Sequence, residues 1–317
     1  MRYVIADIIA HGTSVKEFHL RHPDGAPLPA WPAGAHIGLR FVGADGREYE
    51  NRYSLVGAPG PAAVYRIAVQ REESGRGGSR ALHDDLVVGS GIDVEGPFPD
   101  FPLRPAPSAT DARVLLIGGG IGITPMISMA HALQTQGRKF VLHYLARSRD
   151  HLALMDDLRA LPEGALAVHL SAQSGRADLA QLLGEYRSGD AVYACGPAAL
   201  LQALAETGAR LGWPSNAIHV ESFGPRVHDG DAPLMVELSL SQMTVEVAPG
   251  TSILDALIAA DVFVSYECKR GECGSCYAQV VEGEPLHRDV CLTPGMRAQG
   301  LCTCVSWAAQ ERLVLAL

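Results

Sequence analysis

Three cysteines crowd into one nine-residue stretch, Cys-Lys-Arg-Gly-Glu-Cys-Gly-Ser-Cys, at residues 268–276. They follow the spacing Cys-x4-Cys-x2-Cys, although the chain of 317 residues has only seven cysteines. Completed by a distant fourth cysteine, this is the plant-type [2Fe–2S] ligand spacing. One loop can surround a cluster only if its backbone turns sharply, which Gly271 and Gly274 permit. The predicted ligands of this loop are Cys268, Cys273 and Cys276.

The fourth ligand has three candidates, Cys291, Cys302 and Cys304. The run from Cys302 to Ser306 alternates like a strand, which would place Cys302 and Cys304 on one face. We choose Cys304, although spacing alone does not separate it from Cys302. Zinc is the alternative metal, but structural zinc ligands usually come as two separated pairs. The thiols of Cys195, Cys291 and Cys302 are expected to be small buried hydrophobes.

Composition narrows the class of protein. A length of 317 residues predicts two or three domains, and 47% hydrophobic with 19% charged residues is typical of a globular chain. The net charge of −9 disfavours a nucleic-acid partner. No apolar run approaches the roughly 18 residues of a membrane span, so no membrane association is expected. The N-terminus does not read as a signal peptide, and an odd cysteine count without one predicts a reducing cytoplasm rather than a disulfide framework. A monomer is expected, although no sequence feature fixes the oligomeric state.

The residue pattern divides the chain into three blocks and a linker, which predicts a multidomain protein. Residues 1–105 carry short alternating runs separated by Gly and Pro, as in an antiparallel β-barrel. From 110 to 223, apolar strands alternate with helical stretches, which predicts an α/β domain with a parallel sheet. A turn-rich linker at 224–232 leads to the last block, 233–317, where a hairpin pattern over 234–247 and a capped helix precede the cysteine loop.

Two segments of the first block fit a flavin. At one strand end, a guanidinium can bind phosphate, an aromatic ring can cover the isoalloxazine, and a hydroxyl can reach a ring nitrogen. The segment Gly-Arg-Gly-Gly-Ser at 75–79 opens an apparent helix over 80–86, and glycines before a helix N-terminus make a phosphate cradle. A flexible loop is the plain alternative for the second segment. The candidate flavin residues are Arg52, Tyr53, Ser54, Leu55, Gly77, Gly78 and Ser79.

A glycine-rich segment of the second block predicts nucleotide binding. Residues 118–125 follow a strand and enter a helix, so that the backbone can approach a pyrophosphate. The match to the dinucleotide fingerprint is imperfect, because Ile123 replaces a glycine and the second strand ends in arginines rather than an acid. A later strand ends at 194–197, on the same sheet edge, where an ordinary strand-to-helix turn is the alternative. The candidate residues are Gly118, Gly119, Gly120, Gly122, Thr124, Arg147, Cys195, Gly196 and Pro197.

Taken together, these motifs resemble the phthalate dioxygenase reductase and vanillate demethylase reductase family, iron–sulfur flavoproteins that serve Rieske-type oxygenases. The resemblance covers essentially the whole chain. The block order, with flavin first, nucleotide second and a ferredoxin last, is specific to this family. The segments that carry it are 53–55, 75–79, 118–125, 193–197, 221–223, 268–276 and 283–289.

The resemblance implies a function and a set of roles. FMN rather than FAD, NADH, and an α+β β-grasp ferredoxin domain with Cys304 as fourth ligand are expected. Electrons would pass from NADH through FMN and the cluster to an oxygenase that hydroxylates aromatic rings or removes O-methyl groups. Tyr53 and Ser54 would line the isoalloxazine and Ser79 would hold its phosphate. The expected residues at the reacting rings are Ser54, Cys195 beside the nicotinamide and Phe223 over the flavin.

Two other functions remain open from the sequence. The same redox chain could serve a cytochrome P450 or a separate carrier. A zinc-stabilised nucleotide-binding interaction module is the alternative from another class.

The chain departs from the family pattern at several positions. The family's flavin strand reads Arg-x-Tyr-Ser, but here Asn51 takes the place of that arginine and Arg52 adjoins Tyr53 directly. Alternation would turn Arg52 away from the Tyr53 face, so a phosphate role for Arg52 requires a local bulge or a side chain that reaches round. The remaining departures concern the surface expected to meet the partner, and they are Lys269, Arg270, Trp307 and the C-terminal Leu-Ala-Leu.

Overall fold

The computed structural model describes residues 1–73, 77–105, 112–223, 231–267 and 269–317. The chain forms two compact units. The first contains residues 1–196 and 208–221, and the second contains residues 197–207 and 222–317. Among the described residues, none of the helices combines the length and the apolar character needed to span a membrane.

The first block folds into an antiparallel sheet. Its elements are β1 (Arg2–His11), β2 (Val15–Arg21), β3 (Leu28–Trp31), β4 (His36–Val42), β5 (Glu48–Ser54), β6 (Gly60–Ala62), β7 (Tyr65–Gln70), α1 (Gly78–Asp84) and β8 (Gly91–Phe98). Six strands lie in the order β5-β4-β8-β1-β2-β7, and an isolated bridge between Leu55 and Ile67 links the two ends. Alternate residues such as Ile5, Phe18 and Ile37 fill the interior. The predicted antiparallel barrel is therefore confirmed.

The second block folds into a parallel sheet. Its strands are β9 (Val114–Gly119), β10 (Phe140–Ala146), β11 (Leu166–Leu170), β12 (Ala191–Cys195) and β13 (Ile218–Glu221). They lie in the order β11-β10-β9-β12-β13. Its helices are α2 (Ile123–Thr135), α3 (Met155–Arg159), α4 (Ser171–Ser174), α5 (Leu179–Leu183) and α6 (Ala198–Arg210). Because β10 and β12 flank β9 on opposite sides, the strand order reverses there, and the carboxyl ends of β9 and β12 form the switch point where such folds bind ligands.

The barrel and the parallel sheet share one hydrophobic core. Ala33 and Phe101 from the first block pack in the same cluster as Met126 and Met129 of α2. A buried hydrogen bond from the Gly34 N–H to the Ser128 hydroxyl, 2.9 Å long, crosses the same boundary. The two blocks therefore form a single unit rather than two independent ones.

The second unit is an α+β fold. Its remaining elements are β14 (Leu234–Leu238), β15 (Met243–Val247), α7 (Ile253–Ala259), β16 (Tyr277–Glu282), β17 (Pro285–Leu286), α8 (Pro294–Arg297), β18 (Gly300–Cys302), β19 (Trp307–Ala308) and β20 (Arg312–Leu315). Five strands lie in the order β15-β14-β20-β16-β18, with β14 and β20 parallel. The predicted hairpin and capped helix are confirmed, since the Ser252 hydroxyl accepts the Asp255 N–H at 3.0 Å.

One local expectation is wrong. The run from Cys302 to Ser306 is not a strand, because β18 ends at Cys302 and the next residues turn. The Ser306 N–H donates to the Cys302 carbonyl at 3.0 Å, which closes that turn. Strand alternation therefore does not place Cys302 and Cys304 on one face, and their proximity has another origin.

Candidate functional site

The cysteine loop turns where its glycines predict. Gly271 and Gly274 have φ values of 70° and 77°, in the left-handed region that favours glycine. The Cys273 thiol is exposed, and its Sγ accepts the Ser275 N–H at 3.5 Å. One N–H group of this loop thus points toward a sulfur, as a bound anionic cluster requires. Cys268, the first predicted ligand, lies outside the described residues.

A group of buried thiols accompanies the loop. Cys276 and Cys304 are 2% and 3% exposed, and Cys302 is fully buried. Hydrogen bonds from Cys302 and Cys304 lower the pKa of the Cys276 thiol well below its usual range. The same contact with Cys276, followed by one with Cys291, raises the pKa of Cys302. Cys276 and Cys304 thus lie in contact, and such soft sulfur donors fit an iron–sulfur cluster.

Two of the departures expected at the partner surface are buried instead. Trp307 is 2% exposed, and its indole N–H donates to the Ala232 carbonyl at 3.2 Å. The Arg270 side chain is 8% exposed and lies 3.1 Å from the Glu272 carboxylate. Only Lys269 reaches the surface, where its ammonium lies 2.8 Å from Asp255. Trp307 and Arg270 are therefore structural substitutions and do not alter an exposed face.

Asn51 and Tyr53 lie on one face of β5, Ser54 is the last residue of the strand, and Leu55 follows it. Tyr53 is half-buried, and burial raises the pKa of its hydroxyl. The Asn51 amide donates to this hydroxyl at 3.1 Å. Ser54 and Leu55 are buried, and the Ser54 hydroxyl has no hydrogen-bond partner among the described residues. An enclosed hydroxyl without a partner fits a cofactor that offers ring nitrogens and carbonyl oxygens.

Arg52 lies on the opposite face of β5. The register between β4 and β5 is continuous over its whole length, so the bulge that would turn Arg52 back is absent. Its guanidinium lies 3.8 Å from the Asp100 carboxylate and 5.8 Å from the centre of the Phe98 ring. These contacts favour Asn51, rather than Arg52, as the residue that shares a strand face with Tyr53.

The glycines of the predicted phosphate loop pack closely against β5. A Cβ on Gly78 would lie 2.7 Å from the Asn51 Oδ1, so only glycine fits there. A Cβ on Gly77 would lie 3.5 Å from the Arg80 Nη2, which places this guanidinium beside the loop. The Ser79 hydroxyl accepts the Glu72 N–H at 3.0 Å and keeps its own proton available to an anion. Gly75 and Arg76 of the same motif lie outside the described residues.

The nucleotide candidates meet at the carboxyl ends of β9 and β12. A Cβ on Gly122 would overlap the carbonyl of Cys195, and one on Gly196 would lie 3.0 Å from the Gly119 Cα. Gly120 has a φ of 57° with open space around it. The glycine backbone is therefore closely packed at Gly122 and Gly196 and open around Gly120, as a bound pyrophosphate requires.

Three further nucleotide candidates lie in the first unit, whereas Pro197 and Phe223 lie in the second. The Thr124 hydroxyl donates to the Ile121 carbonyl at 3.0 Å and fixes the start of α2. Cys195 is fully buried at the end of β12, while Arg147 is exposed just after β10. In the second unit, Pro197 is exposed before α6, and Phe223 has 43% of its surface exposed.

A buried ionic network within the first unit was not predicted from the sequence. Glu17 is 2% exposed and accepts hydrogen bonds from His11, His19 and Arg66 at 2.8, 2.7 and 2.6 Å. Arg66 also donates twice to the Asp157 carboxylate of α3, at 2.7 and 2.8 Å. The network joins β1, β2 and β7 of the barrel to the nucleotide-binding block. Sequence offers no signal for it, because Arg66 and Asp157 are 91 residues apart.

Two family models match separate parts of the chain. Residues 116–206 match the oxidoreductase NAD-binding domain, and residues 236–309 match the 2Fe-2S iron-sulfur cluster binding domain. The second match includes the whole cysteine loop and removes the zinc alternative.

Relatives and solved structures match over the full length. The carnitine monooxygenase reductase subunit of Escherichia coli is 36% identical over 96% of this chain and 94% of its own. The phthalate dioxygenase reductase of Burkholderia cepacia is 35% identical, with 100% and 97% covered. A solved phthalate dioxygenase reductase covers 100% of this chain and 98% of its own, at 34% identity and a TM-score of 0.69. An intact type IV self-sufficient cytochrome P450 monooxygenase matches at 35% identity and a TM-score of 0.67, but this chain spans only 41% of it.

A flavin-type barrel, an NAD-binding sheet and a [2Fe–2S] domain in one polypeptide define an iron–sulfur flavoprotein oxidoreductase. The first two modules hold flavin and NAD, and the third holds the cluster. The chain belongs to the phthalate dioxygenase reductase family.

Proposed function

We propose that this chain is the NADH-dependent reductase component of an oxygenase system, and that its partner is a Rieske-type oxygenase of aromatic compounds. One observation carries the proposal: the barrel, the nucleotide fold and the thiolate loop follow one another in a single chain in this order. Relatives named as reductases of a monooxygenase and a dioxygenase support it. A reducing, cytoplasmic setting belongs to the proposal, since the seven cysteines are an odd number that does not suit a disulfide framework.

The proposed flavin is FMN, held at the face of β5. Tyr53, Ser54 and Leu55 line the ring system, and Gly77, Gly78 and Ser79 receive the phosphate. Asn51 and Arg80 assist the phosphate in place of Arg52, because they lie beside the loop and Arg52 does not. When bound, the flavin accepts hydride from NADH and passes electrons on singly, while the protein supplies position and electrostatics.

The proposed nucleotide residues are Gly118, Gly119, Gly120, Gly122, Thr124 and Gly196 of the first unit and Pro197 of the second. Arg147 lies beside the ribose, and its exposed charge leaves NADPH as a possible second donor. Cys195 supports the nicotinamide, and Phe223 covers the flavin ring where the nicotinamide enters.

The proposed cluster ligands are Cys268, Cys273, Cys276 and Cys304. They belong to a ferredoxin domain over 233–317, preceded by a linker at 224–232, a nucleotide domain over 110–223 and a flavin domain over 1–105. Cys304 is preferred to Cys302 because the family resemblance assigns the cysteine before Val-Ser to the cluster.

The exposed cysteine of the loop gives the direct test of this electron path. We expect Cys273→Ser to lose the iron–sulfur absorption and the reduction of cytochrome c, while NADH still bleaches the flavin anaerobically. The measurement is an anaerobic spectrum before and after NADH, with the released flavin identified by chromatography. Cytochrome c reduction equal to that of the parent protein would contradict the path, and FAD in the eluate would contradict FMN.

A cytochrome P450 is the second candidate for the electron acceptor. The structural match to a self-sufficient P450 favours it, because 41% of that protein is similar to the whole of this chain. Reconstitution distinguishes the two: a Rieske oxygenase that turns over with this reductase supports the first proposal, and turnover only with a P450 supports the second.

A further inference from the structure

The aromatic side chain of Phe263, just before the cluster loop, is exposed to solvent. Phe263 has 90% of its surface exposed, more than any other large hydrophobic side chain in the described ranges. Tyr266 follows at 45%. Aromatic side chains are concentrated in the few residues that dominate protein–protein affinity. An exposed pair of them in a single short segment therefore indicates a contact surface.

The segment is held in place rather than loose. Val264 is buried in the core of the second unit, and Val262 packs against the same core. Because neighbouring side chains in an extended segment point in opposite directions, burial of both valines turns Phe263 outward. The Lys269 ammonium lies 4.8 Å from the centre of the Tyr266 ring, which also fixes the second aromatic.

The charges around these aromatics are acidic on balance. Asp261 and Glu267 are exposed, and Lys269 is neutralised by its 2.8 Å contact with Asp255. The block from 233 onward has ten acidic and five basic residues. A partner with a basic rim therefore fits this segment better than an acidic one.

The segment is also close to the cluster along the chain. Phe263 lies five positions before Cys268, so the chain between their Cα atoms spans at most about 18 Å. A protein seated on Phe263 thus approaches the first proposed cluster ligand, as a protein that collects electrons from the cluster must.

We propose that Phe263, supported by Tyr266, is the anchor on which the electron-accepting partner docks. The partner presents an apolar pocket surrounded by basic side chains, and Phe263 inserts into that pocket. Asp261 and Glu267 pair with the basic rim and speed the encounter. This inference rests on the proposed function and adds the residues that recognise the acceptor.

The test uses the holoprotein with cytochrome c, a basic protein whose haem edge lies in an apolar patch. We expect Phe263→Ala to lower kcat/KM for cytochrome c about tenfold or more, the effect of losing a central interface aromatic. Ferricyanide reduction and anaerobic bleaching by NADH stay unchanged, since neither requires protein docking. Leu240→Ala is the matched control, because Leu240 is 76% exposed in the same unit.

A charge variant tests the pairing of the acidic residues with the partner's basic rim separately. We expect Glu267→Lys to flatten the salt dependence of cytochrome c reduction, with no change at the flavin.

Equal rates for Phe263→Ala and Leu240→Ala would overturn the docking proposal alone. A parent protein whose flavin and cluster do not bleach with NADH would instead overturn the proposed function. A concentration-dependent dimer lost in Phe263→Ala would identify a second copy of the chain as the occupant and reject an acceptor protein.

Discussion

The nucleotide edge and the flavin face of the first unit are built in different ways. At the nucleotide edge, backbone meets backbone, and a Cβ on Gly122 would overlap the Cys195 carbonyl. At the flavin face, side chains rather than backbone form the surface. They are the Asn51 amide, the Tyr53 ring and the unpartnered Ser54 hydroxyl. A backbone contact tolerates no added atom, whereas a side-chain contact can be rebuilt from another position. This explains why the chain departs from its family in the flavin strand.

The largest expected effect comes from breaking the backbone contact. Gly122→Ala should destabilise the protein by about 3 kcal/mol or more, because the added methyl group overlaps Cys195 in a packed interior. NADH binding should be lost with it. Thermal unfolding and NADH titration measure the two effects.

Gly120→Ala is the matched control for this substitution. Gly120 has a φ of 57° but nothing near its missing Cβ, so alanine there costs only the left-handed backbone, about 1 kcal/mol. Equal losses in the two variants would mean that backbone conformation, rather than close approach, governs this edge.

The second effect concerns the ionic network that joins the barrel to the nucleotide-binding block. Burial alone would raise the pKa of the Glu17 carboxyl, but hydrogen bonds from His11, Arg66 and His19 outweigh it and lower the pKa to about 2. The ionised group therefore stabilises the folded state by roughly 3 kcal/mol at neutral pH. This contribution is complete above the unfolded pKa of 4.5 and is lost as the pH falls toward 2.

Glu17→Gln should remove this dependence. We expect the variant to be less stable than the parent at pH 7, with the difference shrinking as the pH falls from 5 to 2 in denaturant unfolding. Glu50→Gln is the control, because Glu50 is an exposed partner of Arg40 and should cost under about 1 kcal/mol. A stability difference for Glu17→Gln that is constant over this pH range would refute the assigned role of the carboxylate.

The smallest expected effect separates neighbouring residues of the flavin strand. Asn51→Ala and Arg80→Ala should each weaken FMN binding about tenfold, a loss of about 1.4 kcal/mol. Arg52→Ala should change it less than threefold, because Arg52 faces Asp100. Fluorescence titration of the apoprotein with FMN gives the dissociation constants. The reverse order of effects would return the phosphate to Arg52.

Much of the fold was predictable because its signals are local. Glycine spacing at 118–122, the β-α-β rhythm and the thiolate loop depend on residues within a few turns of each other, and all three blocks folded as predicted. The Cys302–Ser306 turn was missed because residue types alternate there as in a strand, whereas all five residues are buried. The burial of Trp307 was missed because it depends on Ala232, 75 residues away, whose position only the tertiary structure sets. The burial of Arg270 was missed although its partner Glu272 is only two residues away.

The Arg66–Asp157 pair has a consequence for how such reductases are assembled in evolution. A recombination that exchanged the barrel alone would leave Asp157 facing a surface without its guanidinium, and an uncompensated, largely buried carboxylate costs several kcal/mol. Fusion at the end of the nucleotide-binding block leaves the Arg66–Asp157 pair intact. We therefore expect the barrel and the nucleotide fold to be inherited together, as one unit to which different electron-delivering modules can be joined.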